Sequence, residues 1–250
     1  MLKTGCSSGQ LSIANLPPAV RPAKFFGNRL RRLDMSLLGE SILVTTIAVL
    51  TIKVCGVSLT SEAGWFIAPG ILIAAALIPT ATKKSKLSEI GLAVGQIKHS
   101  LVVLGWTCFA VLPAVFCGLW LLKSCGLNLP LRPVLPQGQN WVCWLLYQFM
   151  YVAVAEELFF RGFLQSNVLR LTNVIVGNRF RLRQWTSIGV SAACFAAAHI
   201  IVSGQIISVL TFLPGLVLGW LFIRTKSLLA PILFHGLANT CYCIMAAALT

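Results

Sequence analysis

A chain of 250 residues that is 57% hydrophobic and only 10% charged, with a mean hydropathy of +0.85, has too few charges to cover a water-facing surface. A soluble domain carries about 25% charged residues, so the composition excludes an ordinary soluble fold and points to an all-α, polytopic membrane helix bundle. The net charge of +14 is distributed in short clusters between apolar runs, which is the pattern of membrane topology and not of a nucleic-acid-binding surface.

In chain order, residues 1–35 read as a basic N-terminal segment, expected to be cytoplasmic, whose opening MLKTGCSSGQ lacks the apolar stretch of a signal peptide. Seven apolar segments follow, roughly 36–58, 64–81, 100–122, 140–165, 186–203, 205–223 and 228–248. Most approach the ~20 residues that a helix needs to cross the hydrocarbon core. Helices are expected because each satisfies its own backbone hydrogen bonds in lipid. Residues 88–98, LSEIGLAVGQI, are expected to form an interfacial helix before the third span. The fourth span is expected to run on past Arg161 to about Leu171, and Ser203–Gly204 to separate the fifth from the sixth. The chain thus divides into N-terminal transmembrane helices over 36–135 and a C-terminal core over 136–250.

Seven spans with the N-terminus inside place 16 of the 20 Lys and Arg residues on the cytoplasmic side, as the positive-inside rule requires. The expected location is a bacterial inner membrane, in keeping with the short leader and compact loops. Nine cysteines are scattered with no CxxC pair, so they read as small hydrophobes and not as a disulfide or zinc framework. GLVLG, residues 215–219, reads as a close helix contact.

Charges inside a span cost roughly 2.5–3.5 kcal/mol each on insertion scales and normally face a bundle interior or wet cavity. The fourth span nevertheless holds Glu156, Glu157 and Arg161, the fifth His199, and the seventh His235. Glu157 and Arg161 are spaced i, i+4 as an ion pair, and Asn239 shares a helix face with His235. Counted at ~1.5 Å per residue from the nearest cytoplasmic basic residue, Glu156, His199 and His235 lie at depths of about 21, 24 and 14 Å. With tilt, the three can meet at one level. Helix-to-helix glue explains any one of them, but an extra carboxylate beside an already paired one is left without a cation.

These residues, Glu156-Glu157-x-x-x-Arg161, Phe195-x-x-x-His199 and His235-x-x-x-Asn239, resemble in order and spacing the three motifs of the CAAX prenyl protease and bacteriocin-processing (CPBP, or Abi) family of intramembrane endopeptidases. The resemblance covers about 140–245 and extends to FLPGLVLGWLFIRTKSLLAPILFHGLAN. It implies a helical bundle with a catalytic cavity inside the membrane, in which Glu156 and His199 activate water and His235 and Asn239 stabilise the oxyanion. Glu157 and Arg161 would position the centre or the substrate. The implied substrate is a membrane protein or lipidated peptide, cut as in CAAX-type or leader processing.

The same residues carry a rival chemistry, since two histidines and a glutamate with water form a catalytic zinc set. Glu156, His199 and His235 would then be the ligands and zinc the cofactor. No HExxH helix is present, and the metal-free glutamate mechanism is the preferred expectation. Two non-proteolytic readings remain beside it: an immunity or scaffold protein of the same fold, and a proton-coupled transporter, for which no internal repeat is readable.

Overall fold

The computed structural model describes residues 24–58, 63–82, 91–92, 97–127, 140–176 and 179–249. These residues form seven helices and no strand. They are α1 (Lys24–Ser58), α2 (Ala63–Thr82), α3 (Ile97–Ser124), α4 (residues 141–176), α5 (Phe180–Ser203), α6 (Phe212–Thr225) and α7 (Leu229–Leu249). Each expected apolar segment falls on one of them. Six helices are long and apolar enough to cross a membrane, whereas the apolar part of α2, Phe66–Thr82, is shorter. With Trp106 and Phe109 of α3 exposed by 70% and 74%, the outer surface is one that lipid solvates and water does not. The protein is an integral, multi-pass membrane protein.

Departures from the expected segments have local causes. The sixth segment opens as a 3-10 turn, Ile206–Thr211, before α6 begins. α5 stops where expected, because Gly204 adopts φ +70° and its N–H closes on Ile200 O at 2.9 Å, an αL cap that suits glycine. Of the interfacial helix expected over 88–98, residues 97–98 open α3, Gly91 lies in a turn, Leu92 is in no regular element, and the remainder is outside the described residues. Gly91 has φ +84° and accepts Leu228 N–H at 3.0 Å, so no helix runs through it. The N-terminal 1–23 and the basic loop Lys83, Lys84 and Lys86 also lie outside the described residues.

The long fourth helix is at the centre, packed against α1, α2, α5, α6 and α7. Asn140 starts it, its Oδ1 accepting Val142 N–H at 2.9 Å. It is not uniformly α: Tyr147–Ala153 and Leu158–Gln165 are wound as π-helix around a single α turn, Val154–Glu157. A π turn adds a residue per turn, which re-aims the side chains that follow, and such turns recur at functional sites. The carbonyl of Arg161 within the second π stretch accepts Ser166 Oγ at 3.3 Å.

Below this helix the main apolar core joins Phe159, Phe160 and Phe163 to Val49 of α1, Leu72 of α2 and Phe195 of α5. The other side of the molecule closes through a smaller cluster, Leu104 of α3 with Leu218 and Leu221 of α6 and Phe234 of α7. α5 and α6 approach closely at GLVLG, as expected. A Cβ on Gly215 would lie 3.1 Å from Ala192 Cβ and 3.2 Å from Ala192 Cα.

Candidate active site

The polar centre is built outwards from Glu157, which is fully buried. Its Oε1 accepts Arg161 Nη1 at 3.0 Å and His235 Nδ1 at 2.8 Å. Arg161, also fully buried, passes its second terminal nitrogen to Gly215 O at 3.2 Å and stacks 4.6 Å from the Phe195 ring centroid. One turn on, Gln165 Nε2 donates to Gly219 O at 3.0 Å. The i, i+4 pair Arg161 and Gln165 therefore engages the i, i+4 pair Gly215 and Gly219. Only a glycine face lets the α6 backbone come near enough, since a Cβ on Gly219 would sit 3.1 Å from Gln165 Oε1.

Glu156 has a different environment. Its Oε2, like Glu157 Oε2, is buried and has no hydrogen-bond partner, but no Arg161 guanidinium is bonded to the Glu156 carboxylate. It faces His235 Nε2 at 3.7 Å and His199 Nε2 at 3.9 Å. Both rings are fixed by their other nitrogen. His199 Nδ1 donates to Phe195 O at 2.9 Å, and His235 Nδ1 to Glu157; a carbonyl and a carboxylate can only accept, which assigns the proton to Nδ1 in each. Two Nε2 lone pairs and one carboxylate oxygen thus converge on one gap. A water with hydrogen bonds of about 2.8 Å to each side spans such separations.

Two cavities meet at this gap. The larger, about 460 Å³, is bounded by α3, α5, α6 and α7 and presents His199, His235 and Asn239 on an otherwise largely apolar wall. The smaller, about 160 Å³, lies among α1, α2, α4 and α5 and contains Glu156 and again His199. His199 is the boundary residue.

The structure brings together Glu156, His199 and His235, and places Glu157 and Arg161 directly behind them. Asn239 is on the cavity wall one turn beyond His235, but its amide donates to Gln148 Oε1 at 3.0 Å and not to the glutamates. Gln148, Gln165 and the two glycine carbonyls were not foreseen. Their signals were present: two glutamines in an apolar span, and a GxxxG whose spacing matches Arg161 and Gln165.

Zinc was the alternative expectation. Among the described residues no group of three or more His, Cys, Asp or Glu side chains is arranged to hold a metal ion. The separations of 3.7 and 3.9 Å around Glu156 also exceed the roughly 3.3 Å between neighbouring ligands that tetrahedral bonds of about 2.0–2.1 Å would give. The described residues give the zinc set Glu156, His199 and His235 no support.

Residues 138–241 match the family model described as "Type II CAAX prenyl endopeptidase Rce1-like". The match covers α4 to most of α7 and contains every side chain of the polar centre. No curated protein and no solved structure matches the chain.

Proposed function

We propose that the protein is an intramembrane endopeptidase that hydrolyses a peptide bond of a membrane-associated protein or lipidated peptide without a metal ion. The observation that carries this reading is Glu156 Oε2, buried without a hydrogen bond and facing two imidazole Nε2 atoms at 3.7 and 3.9 Å. A carboxylate kept only as helix glue would be hydrogen-bonded, because an unsatisfied buried group is costly.

In the proposed reaction a water in this gap loses a proton to Glu156 as its oxygen attacks the scissile carbonyl carbon. His199 orients that water. The negative charge moves to the carbonyl oxygen, where a free amide hydrogen of Asn239 supplies a donor worth about 2.7–4 kcal/mol; His235, whose Nδ1 proton is held by Glu157, adds a second donor at Nε2 when it is in its imidazolium form. The C–N bond then breaks and the leaving nitrogen takes the proton from Glu156. Glu157 and Arg161 hold His235 in register and do not touch substrate. The largely apolar cavity of about 460 Å³ suits an apolar segment or lipid-bearing residue. The family match over residues 138–241 supports CAAX-type or leader processing as the substrate class. The basic clusters favour a cytoplasmic N-terminus, and the membrane we assign is a bacterial inner membrane.

The test compares protein termini across the host membrane proteome between wild type and Glu156→Gln by terminal-peptide mass spectrometry. New termini that need Glu156, at a yield reduced by about 10²–10⁴ in the variant as for loss of a general base, are the expected result, and they name the substrate. Identical termini from two folded proteins would leave a scaffold or immunity role. Treatment with a chelator is expected to leave the cleavage unchanged.

A further inference from the structure

Away from the glutamates, a third cavity of about 440 Å³ opens at the basic end of the bundle between the start of α5 and the end of α6. Its wall includes Arg181, Trp185, Trp220, Arg224 and Lys226. The two helices run antiparallel here, and each contributes the same pair in mirror order. Trp185 lies one turn into α5 from Arg181, and Trp220 lies one turn into α6 from Arg224. The cavity therefore has cations at its rim and indole rings one turn deeper, with Ile188 and Ile223 on its wall.

The charges are available for a ligand. No acidic residue lines the cavity, and α5 has none in its first turn. Among the described residues the side chains of Arg181, Arg224 and Lys226 make no hydrogen bond or ion pair. Arg179, the N-cap of α5, makes no side-chain cap, so the first N–H groups of that helix add to the positive field. Lys226 has φ +53° and is the one non-glycine residue with positive φ among the described residues. Glycine fills such a C-terminal helix position at lower cost, so the lysine side chain is retained at the expense of the backbone. A topology signal needs only a number of charges near the membrane surface, whereas here three converge on a walled space.

We propose that this cavity binds an anionic phospholipid, its phosphate held by Arg181, Arg224 and Lys226 and its glycerol and upper acyl carbons lying on Trp185 and Trp220. Guanidinium groups pair with phosphate oxygens, and tryptophan occupies the interface between apolar chain and headgroup. A free phosphate would use the cationic rim alone, while cations at the rim with indole rings one turn deeper, and Ile188 beyond Trp185, match an amphiphile entering from the membrane surface. The site is independent of the peptidase reading.

The experiment is native mass spectrometry of the full chain released from detergent with added phosphatidylglycerol or phosphatidylcholine. Wild type is expected to retain phosphatidylglycerol in preference to phosphatidylcholine, and each of Arg181→Gln, Arg224→Gln and Lys226→Gly to weaken that retention about five-fold, the effect of one cation at a membrane surface. Lys226→Gly relieves backbone strain, so its loss of lipid with an undiminished melting temperature separates binding from folding. Lys98→Gln, a cation outside the cavity, is expected to change nothing. Equal loss in Lys98→Gln, unchanged retention in the three cavity variants, or displacement of the lipid by equimolar inorganic phosphate would each overturn the proposal.

Discussion

The first three helices and the last four face the same problem, polar side chains in lipid, and among the described residues only the last four donate buried bonds across to one another. In α2 and α3, Thr80 and Thr107 donate to the carbonyl four residues back in their own helix, both at 2.7 Å. In α4 to α7 own-helix bonds such as Thr225 to Leu221 O are joined by four buried donors that reach across: Arg161 to Gly215, Gln165 to Gly219, Ser191 to Phe160 and His235 to Glu157. Bonds that do join the first three helices to the rest lie at helix ends, as from Lys53 to Val202 O, or are donated by α4, as from Asn167 to Ser41 and Tyr151 to Phe66 O. Packing follows the same division, with 11% of the most apolar stretch of α3 buried against 39% of α5. A self-satisfied helix can be moved or exchanged at little cost. A cross-linked set holds one geometry, which is what a reaction centre requires. The N-terminal helices supply walls to the cavities, and the C-terminal four hold the polar centre.

The largest way to break this difference is Arg161→Ala. It leaves Glu157 buried beside His235 without its cation, and removing one partner of a buried pair costs about 3–5 kcal/mol. Unfolding in detergent micelles is expected to show that loss, and the variant to lose the proposed cleavage with it. A midpoint within error of wild type would mean that water reaches Glu157 and that the pair is not the fastening of the bundle.

Glycine offers a loss in one region against no change in the other. Gly215→Ala pushes its Cβ to within 3.1–3.2 Å of Ala192, and the 3.2 Å bond from Arg161 to Gly215 O must lengthen as α6 moves away. Overpacking of this kind costs about 1–3 kcal/mol. Gly105→Ala in α3 meets nothing within 4 Å, and because α3 is already helical before the bundle assembles, it is expected to stay within about 0.5 kcal/mol of wild type. Equal losses in the same unfolding measurement would dissolve the contrast.

How much of this was legible in the sequence also divides by region. Apolar length sets the existence of all seven helices, because lipid leaves the backbone no other way to satisfy itself. The convergence of Glu156, His199 and His235 was readable from charge cost and depth, and the Glu157–Arg161 pair from its spacing. The π turns in α4 were not, because π and α windings share one apolar composition and differ only in which carbonyl each N–H finds. Nor was the partner of Asn239: periodicity puts Asn239 beside His235, but the bond to Gln148 depends on where the first π turn aims that glutamine. The matching of Arg161 and Gln165 to Gly215 and Gly219 needs two helices docked at a known register, which no single segment encodes.

The smallest expected effect is the most direct test of the division, because it compares two buried hydroxyls. Ser191 Oγ donates to Phe160 O on another helix at 2.8 Å, and Thr107 Oγ1 to Val103 O on its own at 2.7 Å. Both bonds are short and both side chains buried, so local geometry predicts similar losses on removal. The reference state predicts otherwise. An isolated helix in lipid already contains the Thr107 bond, which therefore contributes nothing to assembling the bundle, while the Ser191 bond forms only when α4 and α5 dock. Thr107→Val is expected to shift stability by less than about 0.5 kcal/mol, and Ser191→Ala to lower it by about 0.6–1.7 kcal/mol, the range of cross-helix bonds in membranes. If the two losses are equal, the unfolded chain in micelles does not keep its helices, and the contrast between the two regions would reflect burial alone.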